Sequence, residues 1–338
     1  DLVRTLRAHA TEIVFLSFES LENALETLRM LEDAAAHAHV VGFHKALDAN
    51  VLQESMRAGV REFITAPFEQ SVLIQSLVHL KILLEKHPVR YAATDQIFSF
   101  IPAKAGAGTS TIAVNVAAAM TRIPNTRVLL GDFDLSSGMT RFMLKLTNEH
   151  SVTDAVEHAS QLDENLWPQL ISSVEGMDVL HSGHLNPNLR IDPGQIRGLV
   201  AFMRRNYGAL CFDLSGNLEK YSLELMQESK RILMVCTPEI PSLHLAREKM
   251  AFLAKMDLDH RVAVIVTRIQ KKNLLSEEEV AEVVGAPVIR VFPNDYAGVQ
   301  HALENGTLLS ADSELGAAFA DFAGVLMEQK VPPKPAAQ

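Results

Sequence analysis

Residues 102–115 read Pro-Ala-Lys-Ala-Gly-Ala-Gly-Thr-Ser-Thr-Ile-Ala-Val-Asn, a run of small and hydroxyl-bearing residues suited to gripping a phosphate chain. An apolar stretch precedes it (Ile97, Phe98, Phe100, Ile101), and Ile112, Val116, Ala119 and Met120 follow at a spacing that predicts an amphipathic helix. Strand, small-residue loop and helix N-terminus together make an anion cradle, because backbone N–H groups point inward and the helix dipole favours negative charge. Small residues are needed there, since a side chain would hold phosphates away from the backbone. The common phosphate loop is Gly-x-x-x-x-Gly-Lys-Ser/Thr, with the Lys on the phosphates and the hydroxyl on magnesium. Here Gly106, Gly108 and the Ser110 hydroxyl are in place, Ala103 stands for the first Gly, and Thr109 stands where the Lys belongs. A Lys occurs instead near the start of the loop, at Lys104.

Carboxylates suited to a metal follow downstream. Val128-Leu129-Leu130-Gly131-Asp132-Phe133-Asp134 is an apolar strand ending in Asp-x-Asp, and Tyr207-Gly208-Ala209-Leu210-Cys211-Phe212-Asp213 is a second ending in Asp. The C-terminal ends of parallel strands form the ligand edge of an open α/β sheet. A carboxylate there can hold a metal-bound water near phosphates. Singly, each Asp also reads as a strand-end turn residue; it is the order loop, Asp-x-Asp, apolar-Asp that points to a nucleotide.

This arrangement resembles the deviant Walker A loop of the ParA/MinD ATPases, Lys-Gly-Gly-x-Gly-Lys-Thr-Thr. In that resemblance Lys104 falls on the signature lysine, Gly106 and Gly108 on two glycines, Ser110 on the magnesium ligand, and Thr109 on the second lysine, breaking the pattern. Asp134 falls on the residue that positions attacking water, Asp132 beside the magnesium, and Asp213 on the Walker B Asp. The resemblance implies ATP and Mg2+ as cofactors, bound by Lys104, Ala105, Gly106, Ala107, Gly108, Thr109, Ser110 and Thr111. It also implies a homodimer closed over two ATP molecules, with Lys104 reaching the partner's phosphates. Segments 236–243, Val266-Thr267-Arg268 and Phe292-Pro293-Asn294-Asp295-Tyr296 look like their counterparts in the TadZ/CpaE branch, which adds Thr267, Arg268 and Pro293 to the implied nucleotide contacts. Many relatives carry Asn, reading the adenine, where Thr267 offers only a hydroxyl.

These motifs need a sheet to position them. Strands alternate with helices through the C-terminal half: strands at 232–238, 262–266 and 288–293, helices at 241–256, 277–284, 295–304 and 312–328. Such alternation predicts a parallel, doubly wound α/β sheet covered on both faces, here a P-loop NTPase domain over 96–330. The first 86 residues predict a separate, smaller α/β unit with three strands and three helices. Residues 56–68, Met-Arg-Ala-Gly-Val-Arg-Glu-Phe-Ile-Thr-Ala-Pro-Phe, resemble the end of a response-regulator receiver domain, a flavodoxin-like fold. In that resemblance Ser17 falls on the phospho-accepting Asp, His44 on the Ser/Thr, and Ala66 on the Lys before the Pro, so phosphotransfer is not expected. The first receiver elements are missing, and the unit reads as a degenerate, truncated receiver used for contact. Leu73, Leu77, Leu80 and Leu84 form a stripe on its last helix, suited to core packing or to pairing. Residues 87–95 read as a linker and 331–338 as a disordered tail. The chain starts at Asp1 rather than Met, which suggests a trimmed start.

Composition narrows the partners. The chain has 338 residues, 48% of them hydrophobic, and a net charge of −10. Without a basic run, a nucleic-acid-binding surface is not expected. No apolar run approaches the ~20 residues of a membrane span, and the C-terminal helix lacks the basic amphipathic pattern of a membrane anchor. Cys211 and Cys236 lie in apolar strands and read as buried thiols in a reducing cytoplasm. The pairs His181/His184 and His37/His39 lack a neighbouring Cys or carboxylate cluster, so metal binding there is not expected. Together the resemblances imply a cytoplasmic ATP-binding localisation factor for a Tad-type (Flp) pilus or related secretion machine. Pilus assembly proteins would be its partners and would recruit it to the inner membrane or cell pole. Hydrolysis is expected to be slow or negligible without a lysine at 109. A nucleotide-free scaffold of the same fold and a ParA-type DNA-partitioning ATPase are the alternatives.

Overall fold

The computed structural model describes residues 13–33, 39–46, 48–86, 93–163, 165–186, 190–269 and 275–329. They divide into two compact units, Asp1–Ala93 and Thr94–Gln338. The predicted tail, His37 and residues 87–92 of the predicted linker lie outside the described residues.

The smaller unit runs β1 (Ile13–Ser17), α1 (Leu21–Asp33), β2 (His39–His44), α2 (Ala49–Arg57), β3 (Glu62–Thr65) and α3 (Gln70–Lys86). Its strands pair in parallel in the order β1-β2-β3. Asp48 starts α2 by accepting from the N–H groups of Asn50 and Val51 at 2.8 and 3.1 Å, satisfying donors the first turn leaves open. One small core gathers Phe18, Ala24, Leu28 and Val60, a second Val41, Ile64 and Leu80. The leucine stripe on α3 is not continuous. Leu80 is buried and Leu73 packs beside it, whereas Leu77 is half exposed together with Ile74 and Val78; the Leu84 side chain lies outside the described residues.

The larger unit is built on strands β4 (Ile97–Pro102), β5 (Val128–Phe133), β6 (Ser172–Val174), β7 (Met177–Leu180), β8 (Ala209–Leu214), β9 (Arg231–Cys236), β10 (Val262–Ile269) and β11 (Val288–Pro293). They form one sheet in the order β11-β10-β9-β4-β8-β5-β7-β6. Among the described residues only β6 and β7 pair antiparallel. Strands covered on both faces need apolar side chains on both, which explains the unbroken runs in β4, β5, β8 and β9. The principal helices are α4 (Thr109–Met120), α5 (Pro193–Asn206), α6 (Lys220–Glu228), α7 (Ile240–Ala254), α8 (Glu277–Val284), α9 (Tyr296–Asn305) and α10 (Glu314–Met327).

Helices α5 to α8 cover one face through Leu199, Met203, Leu225, Leu243, Leu253 and Val280, while α4 and α10 cover the other through Ile112, Val116, Phe319 and Phe322. The sheet is thus doubly wound. The amphipathic expectation for α4 needs correction: its residues from Ile112 to Ala117 are all buried, as are Ala119 and Met120. α10 packs against α4 and, through Phe319 and Phe322, against Phe292 of β11, so α4 is enclosed rather than half solvated. Among the described residues no helix is long and apolar enough to cross a membrane.

Candidate functional site

β4 lies at the centre of the sheet between β8 and β9, and the chain leaves it at Pro102 to form the loop that opens α4. That is the switch point where a doubly wound sheet gathers its ligands. Gly106 and Gly108 take φ of +78° and +93°, a left-handed conformation that favours glycine. A Cβ added at either would meet no heavy atom within 4 Å, so the space before both is open. The loop is held from its other side. The Ala103 N–H donates to Val235 O at 2.9 Å, Thr267 Oγ1 to Ala107 O at 2.9 Å, and Arg268 Nη2 to Gly106 O at 2.8 Å. These contacts fix two loop carbonyls on the protein side.

The loop borders a cleft of about 580 Å³, into which Ser110, Thr111, Asp134, Asp213, Gly216, Lys249 and Arg268 also open. Thr109 Oγ1 and Asp213 Oδ2 are buried and have no hydrogen-bond partner among the described residues. A buried carboxylate oxygen without a partner costs folding free energy unless something else satisfies it. Burial raises the Asp213 pKa well above the usual carboxylate range, and the facing Asp132 adds to this; the Ser110 hydroxyl, hydrogen-bonded to Asp213, opposes it. A divalent cation would remove that penalty. The donor set fits Mg2+: a serine hydroxyl in the first turn of α4 and a carboxylate near the end of β8, beside a cradle open to phosphates.

The three predicted carboxylates separate in role. Asp132 and Asp213 are register partners on β5 and β8, yet only Asp213 and Asp134 border the cleft. Asp132 is fully buried and its oxygens are taken: Oδ1 accepts from the Asp134 N–H at 3.1 Å, and Oδ2 from the Thr140 N–H at 3.0 Å and the Ser182 hydroxyl at 3.4 Å. Burial pushes its pKa up to about 6. Asp132 does not itself border the cleft; it ties the end of β5 to the start of the Thr140–Met143 turn. Asp134 Oδ1 accepts from the backbone of Ser136 and Ser137 at 3.2 and 2.9 Å, which fixes its carboxyl at the cleft edge.

Lys104 also borders the cleft, but its ammonium pairs with Glu239 Oε2 of the same chain at 3.0 Å. That hydrogen bond and charge hold the Glu239 carboxyl below its usual range. Among the remaining expectations, Ala105, Ala107 and Arg268 border the cleft, whereas Thr267 and Pro293 do not. Thr267 is buried with its hydroxyl committed to Ala107 O, so its part is to shape the loop rather than to read a base. His181 is held by Asn148 O and the Gly183 N–H, as an ordinary packed histidine. Lys249 was missed by the sequence reading. The signal was available: Ser242, Ala246 and Leu253 are buried at helical spacing on α7, and Lys249 falls on that same stripe.

The chain matches no protein-family model. It is 25% identical over 238 residues to a putative septum site-determining protein MinD of Emiliania huxleyi, covering 68% of this chain and 86% of that protein. Among solved structures it is similar to a ParA family ATPase from Chlorobium tepidum TLS, with a TM-score of 0.63 at 21% identity, covering 68% of this chain and 99% of that one. The septum site-determining protein MinD from Pyrococcus horikoshii OT3, solved as a complex with Mg-ADP, gives a TM-score of 0.58 at 20% identity over 68% of this chain and 95% of that one. The sheet order, the strand-loop-helix cradle and these likenesses give the larger unit the fold of the solved MinD and ParA family ATPases.

Proposed function

We propose that this chain is a TadZ/CpaE-like assembly factor that binds Mg-ATP and uses it to hold a homodimer, with slow or negligible hydrolysis. The observation that carries the reading is the cradle itself: two left-handed glycines facing open space, with Asp213 Oδ2 and Thr109 Oγ1 unpartnered beside them. Backbone N–H groups, Ser110 and Asp213 hold the nucleotide and its Mg2+. The metal neutralises phosphate charge when bound. Asp134, fixed at the cleft edge, orients water toward the phosphates. Thr109 supplies a neutral hydroxyl where a lysine would supply charge, so the bound state outlasts many encounters before any hydrolysis.

Dimerisation is supported by the rim of the cleft. Met139 and Leu245 border it and are exposed, and Ile240, next to Glu239, is 80% exposed. Apolar side chains ringing a charged cleft suit closure against a second copy. For Lys104 to reach a partner's phosphate it must leave Glu239, a solvent-exposed pair that water and salt already weaken. The smaller unit, with Ser17 and His44 at its strand ends in place of phosphotransfer residues, acts as a degenerate receiver that docks on pilus or secretion proteins. Those partners recruit the cytoplasmic protein to the inner membrane or cell pole. The net charge of −10 disfavours a DNA-partitioning role.

Calorimetry with Mg-ATP, run beside mass measurement in solution, tests the reading. The expected result is saturable heat and an ATP-dependent doubling of mass that Lys104→Ala weakens. Absence of heat at millimolar Mg-ATP would establish the empty scaffold instead, and a dimer indifferent to nucleotide would move the interface elsewhere.

A further inference from the structure

Lys249 is a cation on the buried stripe of α7, between Ala246 and Leu253, both fully buried. Lys249 is partly buried and borders the cleft beside the phosphate loop. There Nζ donates to Pro102 O at 2.8 Å and to Gly216 O at 2.5 Å. Pro102 is the last residue of β4 before the loop, and Gly216 lies three residues past Asp213. No carboxylate pairs with Lys249 within 4.0 Å among the described residues. Burial lowers its pKa. The Glu219 carboxylate opposes that lowering from beyond pairing distance; a partly buried ammonium whose hydrogen bonds go to two neutral carbonyls is costly, and an anion in contact would offset that cost. An ammonium has three donors, and two are used.

The neighbourhood asks for such a charge. Thr109 leaves the loop without its in-line lysine, and Lys104, the cation within the loop, is occupied by Glu239. Resting on the Mg-ATP reading above, we propose that Lys249 is an in-chain phosphate-binding cation of this site, reaching the polyphosphate from α7 and supplying charge for binding without the in-line contact that a lysine at position 109 would make. Its third donor is available to a phosphate oxygen, a better acceptor than either carbonyl. By bridging Pro102 O and Gly216 O it also holds the start of the phosphate loop against the segment that follows Asp213. In the low dielectric of the cleft the attraction between ammonium and phosphate is stronger than on an open surface.

The test is binding of Mg-ATP and of Mg-tripolyphosphate, the phosphate chain alone, to the full chain by calorimetry. Lys249→Gln keeps a donor for the carbonyls and removes the charge. It is expected to weaken both ligands at least tenfold. Adding Thr109→Lys to Lys249→Gln is expected to restore at least half of that loss and to gain more affinity than Thr109→Lys gains in the wild-type background, a coupling that a purely structural part for Lys249 would not produce. Wild-type affinity in Lys249→Gln, or no recovery in a folded double variant, overturns the proposal. A second measurement needs no variant: Mg-ATP should protect Lys249 in the wild-type protein from acetylation by acetic anhydride, read by peptide mass spectrometry, and unchanged reactivity overturns it. Failure of the wild-type chain to bind Mg-ATP at all would instead overturn the nucleotide reading beneath it.

Discussion

Replacing Gly108 by alanine separates the cost of backbone strain from the cost of a blocked cradle. Gly108 sits at φ +93° immediately before α4, and an added methyl meets nothing within 4 Å. The folded chain loses no packing and suffers no clash, so the stability cost is that of a left-handed L-residue, about 1–2 kcal/mol. For a unit of this size that lowers Tm by roughly 2–4 °C per kcal/mol. The methyl, however, projects into the open space where phosphate oxygens would meet backbone N–H groups. Hydrogen bonds to a charged group contribute about 1.5–3 kcal/mol each. Losing one or two of them weakens nucleotide binding by roughly tenfold to a thousandfold or more. Gly285 provides the control: it has φ +83°, open space around its Cβ, and a place at the end of α8 away from the cleft. Gly285→Ala is expected to show the same Tm loss and unchanged binding. Thermal unfolding and Mg-ATP calorimetry on both variants read the two effects. Wild-type affinity in Gly108→Ala would refute the assignment of residues 104–111 as the phosphate cradle.

Three further outcomes follow from the same geometry. Burial raises the Asp213 pKa, so the native state keeps a proton that the unfolded chain releases above pH ~4; nucleotide-free stability should fall as pH rises from there through the folded value, and Asp213→Asn should flatten that fall while abolishing Mg2+-dependent binding. Parallel Tm–pH curves for the two proteins would contradict this. Thr109→Lys should raise phosphate release by roughly a hundred- to thousandfold, the effect of restoring a preorganised contact worth on the order of 3–4 kcal/mol, and wild-type turnover of ~1 per second or faster would refute the slow-hydrolysis reading. Tyr207 Oη, in the core, accepts from Trp167 Nε1 at 2.7 Å and donates to Asp178 Oδ2 at 2.8 Å; Tyr207→Phe strands the buried indole N–H and should cost about 1–3 kcal/mol by denaturant unfolding, with a loss under about 0.5 kcal/mol speaking against the network.

The local features of this site are written in local sequence. Glycines at 106 and 108, a hydroxyl at 110 and apolar strands ending at Asp134 and Asp213 are short-range patterns, and backbone sterics with strand periodicity convert them directly into a cradle and an acidic edge. The alternation of strands and helices likewise determines a parallel sheet wound on both faces. What the sequence left undecided depends on contacts between distant segments. Asp132 and Asp134 carry identical chemistry two residues apart, but β5 ends at Phe133, so Asp132 is still held in the sheet beneath Thr140 while Asp134 leaves it with the following turn and borders the cleft. Thr267 is recruited to a loop carbonyl contributed by a segment far back in the chain. The enclosure of α4 requires α10, almost two hundred residues later, to cover it. Lys249 becomes part of the site only because α7 packs against the sheet with that stripe inward, bringing an ammonium to Pro102 and Gly216. Sequence spacing determines which face a residue occupies on its own element; tertiary packing decides what that face meets, because side-chain burial and pairing are settled by neighbours distant in the chain.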